Sequence, residues 1–216
     1  MSTAHELRES DVARAIRHHR LIVVLRRVEP QDRLLALADE LADAGARAFE
    51  ITMDAASGEA DVAALRSHLS RRADGPFLVG AGTVVTSEQL DAARRAGADF
   101  AVAPILDTGL VQTAIGARLP FIPGALTPTE VAAGWAAGAT FVKLFPASAV
   151  GPALVRELRG PMSEVELIPT GGVDGKNAAA FLEAGAVAVG IGGAILRATP
   201  QERAALVRSL ASRGEA

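Results

Sequence analysis

The chain has 216 residues, half of them hydrophobic, 4% aromatic and 22% charged, with 21 glycines and no cysteine. That profile suits buried α/β structure, and the missing thiols exclude disulfides, thiolate nucleophiles and cysteine-based metal sites. A net charge of −3 with scattered arginines offers no basic face for nucleic acid, the first twenty residues hold no secretory apolar core, and the longest apolar run, 186–196, has 11 residues against the ~20 that cross a bilayer, so a cytoplasmic protein is expected.

Residues 1–20 read as a helix ahead of the first strand. From there eight short apolar runs alternate with helix-period segments, at 21–25, 48–52, 77–79, 100–103, 120–122, 141–145, 165–168 and 187–191. Four of them follow an Ala-Gly-Ala, at 44–46, 96–98, 137–139 and 184–186. Glycine just past a helix takes the left-handed conformation that turns the chain back toward a sheet. Eight strand–helix units with continuously apolar strands predict α/β structure with a parallel sheet covered on both sides. The pattern specifies a (β/α)8 TIM barrel, one domain over 1–216, with an extra N-terminal helix. An open doubly wound sheet is the alternative, but no strand-to-helix turn reads Gly-x-Gly-x-x-Gly.

The loops after the strands of a barrel converge on one mouth, so the strand ends belong together. Of the 22 basic residues only Lys143 and Lys176 are lysines, and Lys143 lies inside an apolar strand. Alternation turns Phe141, Lys143 and Phe145 to the inward face. Desolvation there favours the neutral amine, which is a nucleophile toward ketones; the alternative is a structural lysine neutralised by a carboxylate from another strand. The same parity turns Ala48, Glu50 and Thr52 inward and Phe49 and Ile51 outward. Glu50 then serves as a proton shuttle for an imine-forming lysine, or as its salt-bridge partner.

Three glycine-rich strand ends, 80–83, 170–172 and 190–193, expose backbone N–H groups suited to an anion. The last two fall on the final strands, where barrels often place phosphate. The four histidines, His5, His18, His19 and His68, lie in expected helices away from the strand ends, so no metal is expected. Arg71-Arg72 and Arg94-Arg95 read as solvated helix faces, and Trp135 as packing between helices.

Five ordered segments resemble one known family: Glu50-Ile51-Thr52-Met53, Gly80-Ala81-Gly82-Thr83-Val84, Ile122-Pro123-Gly124, Val142-Lys143-Leu144-Phe145-Pro146 and Pro169-Thr170-Gly171-Gly172-Val173. They are similar to the 2-keto-3-deoxy-6-phosphogluconate (KDPG) aldolases, a family that includes 4-hydroxy-2-oxoglutarate (KHG) and 2-keto-3-deoxy-6-phosphogalactonate aldolases. The match covers about residues 20–197. The resemblance implies a class I aldolase that cleaves KDPG to pyruvate and glyceraldehyde 3-phosphate. Lys143 would form the Schiff base, Glu50 would be the acid/base, and Thr83 would hydrogen-bond the pyruvate carboxylate. Pro104 and Phe145 would wall the pocket, and Gly171, Gly172, Gly192 and Gly193 would surround the phosphate. It also implies no metal or organic cofactor, and a homotrimer.

Two positions depart from the gluconate-type pattern. Asp54 stands where an arginine is common, and Ala194 where a serine follows the last glycine pair. Arg26, ending the first strand, is the expected replacement for the missing charge. Galactonate-type members also lack that arginine, and the 145–152 loop resembles theirs, so galactonate and 4-hydroxy-2-oxoglutarate substrates stand as alternatives. So does a phosphometabolite-binding barrel without activity. Sugar-phosphate epimerases and thiamine-phosphate synthases need metal- or diphosphate-binding groups that these strand ends do not carry.

Overall fold

The computed structural model describes residues 3–211, in which helices alternate with short strands that pair only in parallel. One curled sheet contains β1 (Leu21–Leu25), β2 (Ala48–Thr52), β3 (Leu78–Gly82), β4 (Ala101–Val102), β5 (Phe121–Ile122) and β9 (Val189–Ile191), in the order β5-β4-β3-β2-β1-β9. A second contains β6 (Gly124–Ala125), β7 (Val142–Leu144) and β8 (Leu167–Pro169), in that order. Only Pro123 separates β5 from β6, and proline has no N–H to give a ladder. Beyond β8, Thr170 bridges to Gly190 of β9.

The Ala-Gly-Ala segments do what their chemistry demands. Gly45, Gly97, Gly138 and Gly185 all have positive φ, between 77° and 109°. The next N–H reaches back five residues each time: Ala46 to Leu41, Ala98 to Ala93, Ala139 to Gly134 and Ala186 to Phe181, at 2.9–3.2 Å. A fifth unit makes the same turn without glycine. There Arg118 takes φ 55° and Leu119 N–H donates to the Ala114 carbonyl at 3.0 Å.

Strand alternation divides the core in two. Phe49, Ile51, Val79, Phe121, Val142 and Val189 join a large cluster with the helices. Ile22, Ala48, Phe100, Ile122, Phe141 and Ile168 face the other way and form a smaller cluster. Phe100 and Phe141 are fully buried, and burying such a side chain contributes about 1.5–3 kcal/mol.

Three expectations need correction. Over 1–20 the described residues form two helices, α1 (Thr3–Arg8) and α2 (Asp11–His19), instead of one. Ser10 separates them, because its hydroxyl accepts from Ala13 N–H and donates to the Leu7 carbonyl, as N-cap residues do. Ala13 and Ile16 of α2 join the smaller cluster, while Arg8 stacks 3.5 Å from the Trp135 ring centroid and donates to two carbonyls. The glycines of 80–82 belong to β3 rather than to a turn. A side chain at Gly80 would collide with the Phe100 ring, and one at Gly82 with the Glu50 carboxylate. Finally, Arg72 is no solvated face: it pairs with Asp39, Asp43 and Asp74, and these carboxylates, Asp74 foremost, raise its guanidinium above its ordinary value.

Candidate active site

β2 and β7 carry the two groups that define the site. Glu50 is 3% exposed, in register with Val24 on β1 and Gly80 on β3. Its carboxylate lies across Gly82, in space that any other residue there would occupy. Lys143 is 6% exposed, between Gly124 of β6 and Ile168 of β8, and its Nζ lies 5.0 Å from the Phe145 ring centroid. Among the described residues no carboxylate lies within 4.0 Å of Nζ, so neither the structural ion pair nor a Glu50–Lys143 salt bridge is formed.

Both side chains open onto one cavity of about 390 Å³, inside the range of small-molecule sites. Arg26, Phe145 and the pairs Gly171-Gly172 and Gly192-Gly193 also line it. Eight of the ten residues singled out from the sequence therefore meet there. Gly171 and Gly172 are both left-handed, at φ 86° and 80°, an arrangement that no other residue pair adopts readily. A side chain on the first would press the Phe145 ring, and one on the second the Ser148 side chain.

Thr83 and Pro104 do not line the cavity. Thr83 is tied to its rim, since Arg26 Nη2 donates to Thr83 Oγ1 at 3.3 Å. It also takes φ 58°, a strained conformation for a β-branched residue. Pro104 packs its backbone against Gly124, leaving no room there for a side chain.

Asp54, the departure noted in the sequence, sits between two arginines: Arg27 at 3.2 Å and Arg26 at 4.0 Å from Oδ2. Burial pushes its carboxyl up, but the nearby Thr52 hydroxyl and the two arginine charges outweigh this and hold it below the usual carboxylate range. Thr52 Oγ1 and Asp54 Oδ1 are buried without completing a hydrogen bond, so the hydroxyl acts through proximity.

Among the other residues lining the cavity are three polar ones to which the sequence analysis gave no role of their own: Thr170, Asp174 and Arg197. Thr170 was legible, because it continues the inward parity of Ile168. Asp174 acts as a cap, its Oδ1 accepting from the N–H groups of Lys176 and Asn177. Lys176 itself is exposed.

A wider groove of about 970 Å³ lies elsewhere, against α1 and α2. Its principal charges are already engaged, Arg17 with Glu166 and Arg8 with backbone carbonyls, so it lacks the unpaired chemistry of the smaller cavity.

Comparison with known proteins bears on this arrangement. The sequence profile of the KDPG and KHG aldolases matches residues 12–208. The chain belongs to the KDPG and KHG aldolase family. These enzymes are aldehyde-lyases, and the protein is one of them. It is 34% identical over 196 residues to the 2-dehydro-3-deoxy-6-phosphogalactonate aldolase of Escherichia coli K12, covering 88% of this chain and 93% of that one. To the 2-dehydro-3-deoxy-phosphogluconate aldolase of Haemophilus influenzae it is 37% identical over 153 residues, 70% of each chain. A solved KDPG aldolase from Legionella pneumophila, with pyruvate captured as a covalent carbinolamine, superposes with a TM-score of 0.78 at 25% identity, covering 95% of this chain and 98% of that one.

Proposed function

We propose that this aldolase cleaves a phosphorylated 2-keto-3-deoxy sugar acid through a Schiff base on Lys143. The observation that carries the reading is the pairing of two buried, mutually unbonded groups, the Lys143 amine and the Glu50 carboxylate, on one cavity edged by glycine loops. The Lys143 amine adds to the C2 ketone, and the carbinolamine loses water to give an iminium. Glu50 removes the C4 hydroxyl proton, the C3–C4 bond breaks, and its electrons pass to the iminium nitrogen to leave an enamine and the aldehyde. Protonation of C3 and hydrolysis then release pyruvate and the free amine. Glu50, on the same cavity as the amine, handles the protons of each step.

Arg26 and Thr83, joined by their hydrogen bond, hold the carboxylate of the pyruvyl half. Phe145 walls the pocket beside the amine, Pro104 supports the wall through Gly124, and the Gly171-Gly172 and Gly192-Gly193 loops receive the phosphate. No metal or organic cofactor enters this scheme. The fold reading belongs with it: the two sheets close into a (β/α)8 barrel at Pro123 and at the Thr170–Gly190 bridge, with the N-terminal helices packed against the barrel. We place the enzyme in the cytoplasm as a homotrimer.

KDPG is the first substrate reading, and the galactonate is the second, favoured by Asp54 in place of arginine and by the match over 93% of the E. coli galactonate enzyme. A cleavage assay with KDPG, its galactonate epimer and 4-hydroxy-2-oxoglutarate tests both. The expected result is pyruvate release that is fastest from a phosphorylated acid. Release from none of the three would leave a binding protein without turnover.

A further inference from the structure

Arg197 has no task in the scheme above. It closes the helix Gly193–Arg197, five residues long. Positions 193 and 197 are one turn apart on one face, and helical side chains lean toward the N-terminus. Arg197 accordingly folds back along this helix: a methyl group on Gly193 would stand 2.8 Å from Nη1 and 3.6 Å from Nη2. The absence of a side chain at 193 is what leaves the guanidinium its place.

An arginine in a last helical turn ordinarily serves the unsatisfied carbonyls there. Arg197 is turned the other way, back over Gly193, and stands exposed at the edge of the cavity that Lys143 and Glu50 line. Among the described residues it makes no hydrogen bond or ion pair. Asp174 lines the same cavity, but its Oδ1 is committed to backbone N–H groups. An unpaired, planar fork of five donors matches the oxygens of a phosphate. Ala194, in the same loop, adds no hydroxyl.

We propose that Arg197 is a binding residue for the terminal phosphate of the substrate and sets the preference for phosphorylated over uncharged aldehyde ends. The naming of the substrate rests on the aldolase reading above; the anion site does not. The test titrates inorganic phosphate into the wild type, Arg197→Ala and Arg197→Lys by calorimetry. It then compares aldol addition of pyruvate to glyceraldehyde 3-phosphate and to glyceraldehyde. Arg197→Ala should weaken phosphate binding roughly 10–100-fold, the range for a lost charged hydrogen bond, with Arg197→Lys recovering part of it. The kcat/KM ratio of phosphorylated to unphosphorylated aldehyde should fall by a similar factor, through KM. Unchanged phosphate affinity, or an equal loss on both aldehydes, overturns the proposal. Phosphate binding that depends on Arg197 in a protein without aldol turnover would support the site and defeat the aldolase reading. Aldol turnover with an unchanged ratio in Arg197→Ala would defeat the site alone.

Discussion

The inward faces of the strands differ between their two ends, although the same strands supply both. Nearer the N-terminal side stand Ala48 of β2, Phe141 just before β7 and Ile168 of β8, all in the smaller apolar cluster. Two residues further along the chain in each case stand Glu50, Lys143 and Thr170, all buried and all lining the cavity. A β-strand returns to the same face every second residue, so each apolar residue is the floor beneath a polar one. The pairing shows how this fold accommodates buried ionisable groups: charge is confined to the last layer, where it meets a cavity instead of packed hydrocarbon, and the layer below excludes water from beneath.

Disturbing the two layers should have different consequences. In the upper layer, Glu50→Gln keeps the shape of the side chain and removes its capacity to take a proton. Cleavage should slow on the order of 10²–10⁴-fold, with unfolding midpoints close to wild type; a variant that turned over normally would remove Glu50 from the chemistry. In the lower layer, Phe100→Ala should do the reverse. Phe100 is fully buried and fills the space over Gly80, so truncation should cost about 3–5 kcal/mol of stability in a urea titration. Its folded fraction should retain far more activity than Glu50→Gln. A loss of turnover without a loss of stability would mean that the lower layer takes part in the reaction directly.

The division between the layers was legible in the sequence wherever parity alone decided it. The inward set of β2 and β7 follows from alternation, and the four helix ends follow from the left-handed glycines. What the sequence concealed has physical causes. The strand at 78–82 was cut short because its glycines resemble a turn, whereas they are the empty sites into which Phe100 and Glu50 reach across from other positions. The turn at Arg118 carries no glycine, so nothing marks it beforehand. The break at Ser10 depends on a capping hydroxyl that is also compatible with one continuous helix. Arg197 was missed because it lies at the end of a helix, and only the fold-back over Gly193 brings its charge to the strand ends. Of the two residues attributed through family resemblance that lie outside the cavity lining, Thr83 is tied to its rim by Arg26 and Pro104 packs on Gly124. The resemblance identified the neighbourhood and left the depth of each residue to be established.

The contrast between the chain's two lysines gives the most direct test of the upper layer. Lys143 is buried, its Nζ 5.0 Å from the Phe145 ring centroid, while Lys176 is exposed. The Lys143 amine opens onto the cavity that Glu50 lines, whereas Lys176 lines no part of it, and imine formation needs a carbonyl held against the amine together with a group that moves its protons. Treatment with pyruvate and borohydride, followed by peptide mapping, should therefore place a single reduced adduct on Lys143 and none on Lys176. Lys143→Arg should fold and lose both labelling and cleavage, because a guanidinium is not deprotonated in proteins. An adduct on Lys176, or cleavage at the wild-type rate by Lys143→Arg, would contradict the assignment of Lys143 as the Schiff-base residue.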